Sequence, residues 1–431
     1  MSSGKMGFWA VLAFVISSQV GSGTFLFPRT MAPYGVLGQL SWALAGGGAL
    51  CLALLFADLC RRYPRTGGPH VYIAEGFGRT LGFYAAWTYW VIAWLSSAPV
   101  LGVIASAVCT LFGLPQHVLL VFCIESLVLV GLAALNLRGV EESARWELMM
   151  TVIKMVPLVI FPVAALFFFD SGFLGGWNPS RLPWNQTLNK AGMLALWGFL
   201  GVEAITAPAG SVENAKVTIP RAIVWGTIAV LVLYALNTVA VIGLVPHDQL
   251  LCNVMPLGLA LKALLGDIGE PLVSIFVIIV CVSAMNAWIL AMGQVAKGAA
   301  ADGFFPKWFM KENSKKAPYW GIVISSLLLF ACLFLLASKD LATQIDFIID
   351  VSILGSIFIY TLCAVFYLRL LKQQGGDVKA WVAGIGSLAF CIWIFTGANF
   401  QILMWSLLVP ALGLPFQRLW MASSKGKAAT A

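Results

Sequence analysis

Charge is what this sequence has least of. Of its 431 residues only 10% are Asp, Glu, Lys or Arg, whereas 60% are hydrophobic and the mean hydropathy is +0.92. A water-soluble domain needs a charged shell that so few ionisable residues cannot build, which excludes a large soluble helical protein. The nine cysteines are scattered, mostly in apolar runs, with no CxxC pair and no Cys/His grouping at metal spacing. They read as small buried hydrophobes, and no metal or cofactor is implied. The three histidines, His70, His117 and His247, lie far apart at loop or span edges and receive no role. A GxxxxGK[ST] loop is missing, so the chain carries no ATP motor of its own. No cluster of catalytic His, Asp or Ser stands at one membrane face, which argues against an enzyme. Alternating polar and apolar runs of an outer-membrane barrel are also missing. The loops reach only about 20–25 residues, leaving no room for a soluble domain. The first apolar stretch follows a single Lys and runs on as a full span rather than a cleavable signal.

What the chain has instead is apolar runs long enough to cross a bilayer as helices. Twelve candidate spans lie near 6–30, 36–58, 80–112, 117–136, 145–168, 190–209, 220–245, 271–298, 318–337, 345–370, 379–397 and 400–420. This predicts an all-α polytopic membrane protein with the lipid bilayer as its solvent. The net charge of +8 fits topology better than nucleic-acid binding. With both termini placed in the cytoplasm, the inside segments hold 20 of the 26 Lys and Arg and the outside segments five: Arg29, Arg181, Lys190, Lys262 and Lys339. Lys154 lies inside a span. That bias follows the positive-inside rule. The short loops and tails point to a prokaryotic inner (cytoplasmic) membrane.

Two spans would not make ordinary helices. The first reads Val15-Ile-Ser-Ser-Gln-Val-Gly21-Ser22-Gly23-Thr-Phe-Leu-Phe-Pro28, and the sixth Leu196-Trp197-Gly-Phe-Leu200-Gly201-Val-Glu203-Ala-Ile-Thr-Ala-Pro208. Each pairs glycines near mid-span with a later proline. Glycine costs roughly 1 kcal/mol in a helix interior and proline roughly 3 kcal/mol. Backbone groups freed at membrane depth are tolerable only where they line a cavity or meet a ligand. Gly21 and Gly201 are 180 residues apart, in the first spans of two five-span halves. Interrupted helices at matching places of two halves point to a transporter site. A half-helix starting near Ser22-Gly23 offers free N–H groups and a positive dipole end to a carboxylate. Half-helices ending before the breaks offer carbonyls to an ammonium. Together they suit an α-amino acid. The glycines could instead serve only close packing, as Ala45-Gly-Gly-Gly48-Ala49 does in span 2.

Gly21-Ser22-Gly23 followed by Phe25 and Pro28 is similar to the GSG motif of the amino acid–polyamine–organocation transporters. Trp197 to Glu203, the loop Ser211-Val-Glu-Asn-Ala-Lys-Val-Thr-Ile-Pro220, and Gln294 to Pro306 after span 8 resemble the same family. Within it the chain looks closest to the basic amino acid/polyamine antiporters, especially the arginine/agmatine exchangers. The resemblance implies a LeuT-type inverted 5+5 repeat plus two C-terminal helices: 1–170 the first repeat, 185–371 the second, 379–420 the last two spans and 421–431 a cytoplasmic tail. It also implies alternating access, and members often form homodimers. Gly21, Ser22 and Gly23 match positions that hold the substrate carboxylate, and Leu200 one whose carbonyl holds the amine. Trp197 matches an aromatic gate and Trp288 the aromatic on which a guanidinium stacks. Tyr89 and Tyr360 match gate tyrosines; Ser97 and Ser352 match polar pocket positions. Glu203 matches an acid tied to proton sensing or to a cationic amine. Three features depart from the arginine exchangers: Ser97 replaces an amide side chain, Asn214-Ala215 replaces Asn-Pro, and Lys154 matches sodium-independent or proton-coupled members, where the ammonium is implicated in replacing a sodium ion.

An ionisable group inside a span is a functional candidate. Glu203, beside the second break, and Lys154, too deep in span 5 to snorkel, are the expected proton-coupling residues. Glu125 in span 4 reads better as a packing hydrogen bond. Trp is abundant, at 17 residues, so only position lifts Trp197 and Trp288 above belt or core residues. The expectation is a sodium-independent secondary amino acid transporter, exchanger or proton symporter, acting on cationic or other α-amino acids. A polyamine or amine antiporter and a neutral amino acid permease are the alternatives within the class; a channel or non-transporting receptor is the alternative outside it.

Overall fold

The computed structural model describes residues 5–252, 256–336 and 341–425. Among them helices are the regular structure, joined by loops, with one isolated parallel bridge, Met6 to Val212. In chain order the helices are α1 (Phe8–Gln19), α2 (Gly23–Met31), α3 (Gly35–Arg62), α4 (Pro69–Phe77), α5 (Arg79–Leu95), α6 (Ser97–Leu111), α7 (Val118–Leu137), α8 (Val140–Ala165) and α9 (Trp184–Trp197). There follow α10 (Ala215–Ile242), α11 (His247–Cys252), α12 (Pro256–Leu265), α13 (Gly269–Ala301), α14 (Tyr319–Leu336), α15 (Leu341–Gln374), α16 (Val378–Gly397), α17 (Phe400–Ala411) and α18 (Leu414–Lys425).

Among the described residues, ten stretches are long and apolar enough to cross a membrane. The first, Phe8–Arg62, contains the break before α2 and the turn before α3, and so holds two of the expected spans. The segment starting at α9 is not among the ten, because its helix stops at Trp197. The expected tail residues 426–431 and Lys339 lie outside the described residues. Three helices fall outside the expected spans: α4, α11 and α12. The third span bends where α5 ends and α6 begins. Pro99 explains this, since it cannot donate to the carbonyl of Leu95 and its ring crowds that turn.

Burial separates inner from outer helices. α13 and α15 are mostly buried, and α1 packs between α8, α10 and α13. By contrast α7, α8, α14, α16 and α17 carry large exposed apolar side chains, among them Leu119, Leu127, Val130, Val159, Val163, Leu327, Phe334, Val382, Ile385 and Trp405. In water this would be an aggregating surface; in a bilayer it is the solvated one.

One face of the bundle is closed. There Met6 N–H donates to Ser211 O at 2.8 Å and Glu213 N–H to Met6 O at 3.0 Å, while Gly67 N–H reaches Ala207 O at 3.0 Å. Arg65 pairs with Glu75 at 2.6 Å, Lys297 with Glu312 at 2.5 Å, and buried His70 stands 3.3 Å from Asp302. Lys5, Arg138, Arg145, Lys297, Lys315 and Lys316 line a cavity of about 710 Å³ on this face. All six belong to the segments assigned to the inside by charge.

Candidate functional site

The break in the first span occupies Val20 to Ser22. Val20 leaves helical geometry, with φ −84° and ψ 95°, while its N–H still closes on Ile16 O at 2.7 Å. The amides of Ser22 and Gly23 have no hydrogen-bond partner among the described residues, whereas the Ser22 carbonyl already accepts from Phe25 and Leu26. α2 therefore begins with unspent donors at its positive end. The carbonyls before the break are taken by side chains from three other helices. Trp288 Nε1 donates to Ser18 O at 3.0 Å, the Tyr234 hydroxyl to Gln19 O at 2.7 Å, and Lys154 Nζ to Val20 O at 3.2 Å.

The sixth span breaks differently. After α9 the chain tightens into turns in which Phe199 N–H returns to Leu196 O, Val202 to Phe199, Ala204 to Gly201 and Thr206 to Glu203, at 2.8–3.2 Å. Gly201 sits at φ +97°, a conformation that residues with a Cβ rarely adopt. A Cβ there would also stand 2.8 Å from Ser18 O and 3.0 Å from the Trp288 ring. The two breaks touch: Ser18 Oγ donates to Gly201 O at 3.0 Å.

Between them lies a cavity of about 40 Å³, lined by Gly21, Ser22, Gly23, Trp197, Leu200 and Trp288 with Tyr89, Ser18, Gln19, Ile92, Ser96, Val100, Ala284 and Ser356. That is close to the share of a single water in the liquid and far below a drug-sized ligand pocket. No carboxylate lines it. The Tyr89 hydroxyl is buried without a well-formed hydrogen bond among the described residues, within reach of Glu203, and Thr24 Oγ1 nearby in α2 is likewise loosely held beside Tyr234.

Seven of the residues singled out in the sequence thus meet at one place: Gly21, Ser22, Gly23, Tyr89, Trp197, Leu200 and Trp288. Two serines do not line the cavity. Ser97 turns its hydroxyl to Ala93 O of its own helix at 2.9 Å, and its neighbour Ser96 lines the cavity instead. Ser352 is buried with a partnerless hydroxyl, and Ser356, one turn further along α15, lines the cavity. Glu203 and Tyr360 stand beyond the lining, both buried, with the Tyr360 hydroxyl on Glu203 Oε2 at 2.5 Å. Lys154 is fully buried and donates to Ser17 Oγ at 2.5 Å as well as to Val20 O. Glu125 is buried in α7. The residue that sequence reasoning missed is Glu147, buried in α8 at 1% exposure and reaching α1 through two serines. Its spacing of seven from Lys154, which puts both on one helix face, was the available signal.

A model of the amino acid permease family matches residues 6–423. The chain belongs to the amino acid permease family. The likeness to amino acid–polyamine–organocation transporters carried by the GSG motif and the sixth span is therefore one of membership. Relatives align over most of both chains. An arginine/ornithine antiporter of Pseudomonas aeruginosa is 28% identical over 96% of this permease and 90% of its own length. A putrescine transporter of Haemophilus influenzae is 26% identical over 95% and 96%, and a cadaverine/lysine antiporter of Escherichia coli K12 is 26% identical over 91% and 89%.

Proposed function

We propose that this permease is a sodium-independent antiporter or proton-coupled carrier of α-amino acids, cationic ones foremost. The substrate would lie between the two breaks, its carboxylate on the Ser22 and Gly23 amides and its amine near the carbonyls around Leu200. The observation that carries this is the pair of unspent amides at the start of α2, in residues that line one small cavity with Trp197 and Trp288. Free donors at a positive helix end recognise an anion; an aromatic face recognises a guanidinium or ammonium. The relatives named for arginine, ornithine and lysine support the cationic class.

A cavity of about 40 Å³ cannot hold an arginine, so the helices around it must part to admit one. Alternating access by rocking around the two breaks is the motion this reading requires, with Tyr89, Trp197 and Tyr360 as gates and Glu203 and Lys154 coupling it to protonation. Ser97 and Ser352 enter the reading as pocket-supporting residues. Twelve spans arranged as an inverted five-plus-five repeat with two added helices, both termini in the cytoplasm of a bacterial inner membrane, complete it, and a homodimer is its assembly. A diamine antiporter is the second reading, favoured by the putrescine-transporting relative. A diamine has no carboxylate for the Ser22 and Gly23 amides, and its second amine would need an acid at the cavity, where none stands.

Counterflow in proteoliposomes tests this. Vesicles are loaded with one unlabelled compound at a time, and uptake of its labelled form is followed at two pH values with and without sodium. Rapid uptake with arginine, ornithine or lysine is expected. Uptake with putrescine alone moves the assignment to the second reading, and uptake with neutral amino acids alone to a neutral permease. Uptake that depends on a sodium gradient defeats the sodium-independent assignment.

A further inference from the structure

Glu147 closes a buried ring. Its carboxylate accepts two hydrogen bonds from α13: Ser283 Oγ on Oε1 at 2.7 Å and Asn286 Nδ2 on Oε2 at 2.6 Å. Ser283 Oγ is 2.7 Å from Ser17 Oγ of α1, which accepts from Lys154 Nζ at 2.5 Å. Lys154 returns to α8 two turns above Glu147, so an acid and a base on one helix face clasp two other helices between them. Asn286 is held from its far side by Asn136 Nδ2 at 2.9 Å and Ser143 Oγ at 3.2 Å. Two residues along α13 from Asn286 stands Trp288, whose indole holds Ser18 O.

We infer that Glu147 is a positioning residue of the transport cycle. It is the anion that neutralises Lys154 inside the membrane, and through Ser283 and Asn286 it fixes α13, with Trp288, against the break in α1. The inference rests on the reading of that break as the substrate site. A lone ammonium or carboxylate in this interior would be strongly destabilising, whereas opposite charges joined through hydrogen-bonded serines are tolerable. The groups that act electrostatically on Lys154 are Glu147 and the Cys281 thiol of α13, and Lys154 is the charge that acts on Glu147. Tyr234 of α10 bonds Gln19 O and Gly21 N–H rather than either member of the pair. The ring can open only if α1 moves against α8 and α13, so its strength sets the balance between closed and open forms.

Glu147→Gln, Lys154→Gln, the double variant and Glu147→Asp test this in the counterflow assay, with the melting temperature of the purified protein read alongside. Glu147→Gln is expected to lower exchange about tenfold per folded molecule, a coupling of the size contacting residues show. The double variant should be no slower than the worse single one, Glu147→Asp should recover most of the rate, and the pH profile should flatten in both Glu147→Gln and Lys154→Gln. Wild-type exchange in Glu147→Gln overturns the inference. So does a lower melting point with unchanged exchange per folded molecule, which reduces Glu147 to a structural residue. Losses that simply multiply in the double variant also overturn it. If the wild-type protein gives no counterflow, the substrate site fails and the transport role of Glu147 with it. Non-additive melting shifts would then still establish the pair as a purely structural one.

Discussion

The two interrupted spans solve the same problem in opposite ways. In the first, the backbone leaves helical geometry at Val20 and depends on its neighbours. An indole, a phenol and an ammonium from α13, α10 and α8 take the carbonyls of Ser18, Gln19 and Val20, while the amides of Ser22 and Gly23 stay unspent. In the sixth, the chain after Trp197 tightens into turns three residues apart that use the amides of Phe199, Val202, Ala204 and Thr206, and it turns at Gly201 through a positive φ. One break has its carbonyls held from outside by three helices and offers donors; the other leans mainly on its own turns and offers shape, with an acid behind it. Sequence composition treats them alike, as two glycines and a proline. The difference lies in what surrounds them.

The largest expected effect separates shape from packing. Gly201→Ala puts a Cβ in a left-handed conformation, costing roughly 1–2 kcal/mol, and drives it against Ser18 O and Trp288. Counterflow should fall to background while the protein remains a monodisperse helical species. Gly47→Ala, at a glycine with open space around it, should leave exchange within about twofold, since alanine favours the helix. Equal effects at both sites would mean that the glycines of span 6 serve nothing special.

Next comes the outside support of the first break. Trp288→Ala removes both the bond to Ser18 O and an aromatic wall of the cavity, so substrate affinity for arginine should fall at least about tenfold, or roughly 1.4 kcal/mol. Trp288→Phe keeps an aromatic ring in place but loses the five-membered half of the indole with its N–H, and should fall by about fivefold, chiefly the worth of one ordinary hydrogen bond. Titration of binding in detergent checks both. Tyr234→Phe should act on stability more than on affinity. It strands Gln19 O in the interior at a cost of about 1–3 kcal/mol, read as a lower melting temperature.

How much of this was legible in the sequence follows from the same contrast. The breaks were, because clustered glycine and proline oppose a helix wherever they occur, and most of the apolar stretches were, because apolar length is additive. Which face a residue takes was not. Ser97 and Ser96 differ by about 100° around one helix, and the bend at Ser96 decides which reaches the cavity. Ser352 and Ser356 differ by one turn, and the cavity lies at only one level. Glu147 drew no attention in the sequence, lying two residues from Arg145 near the start of span 5; only the packing of α1 and α13 onto α8 buries it. The short helices α4 and α12 carry too few residues to register as spans.

The smallest expected effect concerns the acid behind the second break. Tyr360→Phe removes the hydroxyl that Glu203 accepts at 2.5 Å. The Tyr89 hydroxyl makes no well-formed hydrogen bond among the described residues but stands within reach of the Glu203 carboxylate. It can swing to take the lost place, so exchange should fall by no more than about threefold, less than one full hydrogen bond is worth. Removing both hydroxyls in Tyr89→Phe/Tyr360→Phe should cost far more than the two single changes multiplied, because the carboxylate then loses every donor among these side chains. Exchange rates of the four proteins, wild type included, measure this directly. If Tyr360→Phe alone abolishes exchange, the second break leans on its neighbours as heavily as the first does, and the contrast between the two spans dissolves.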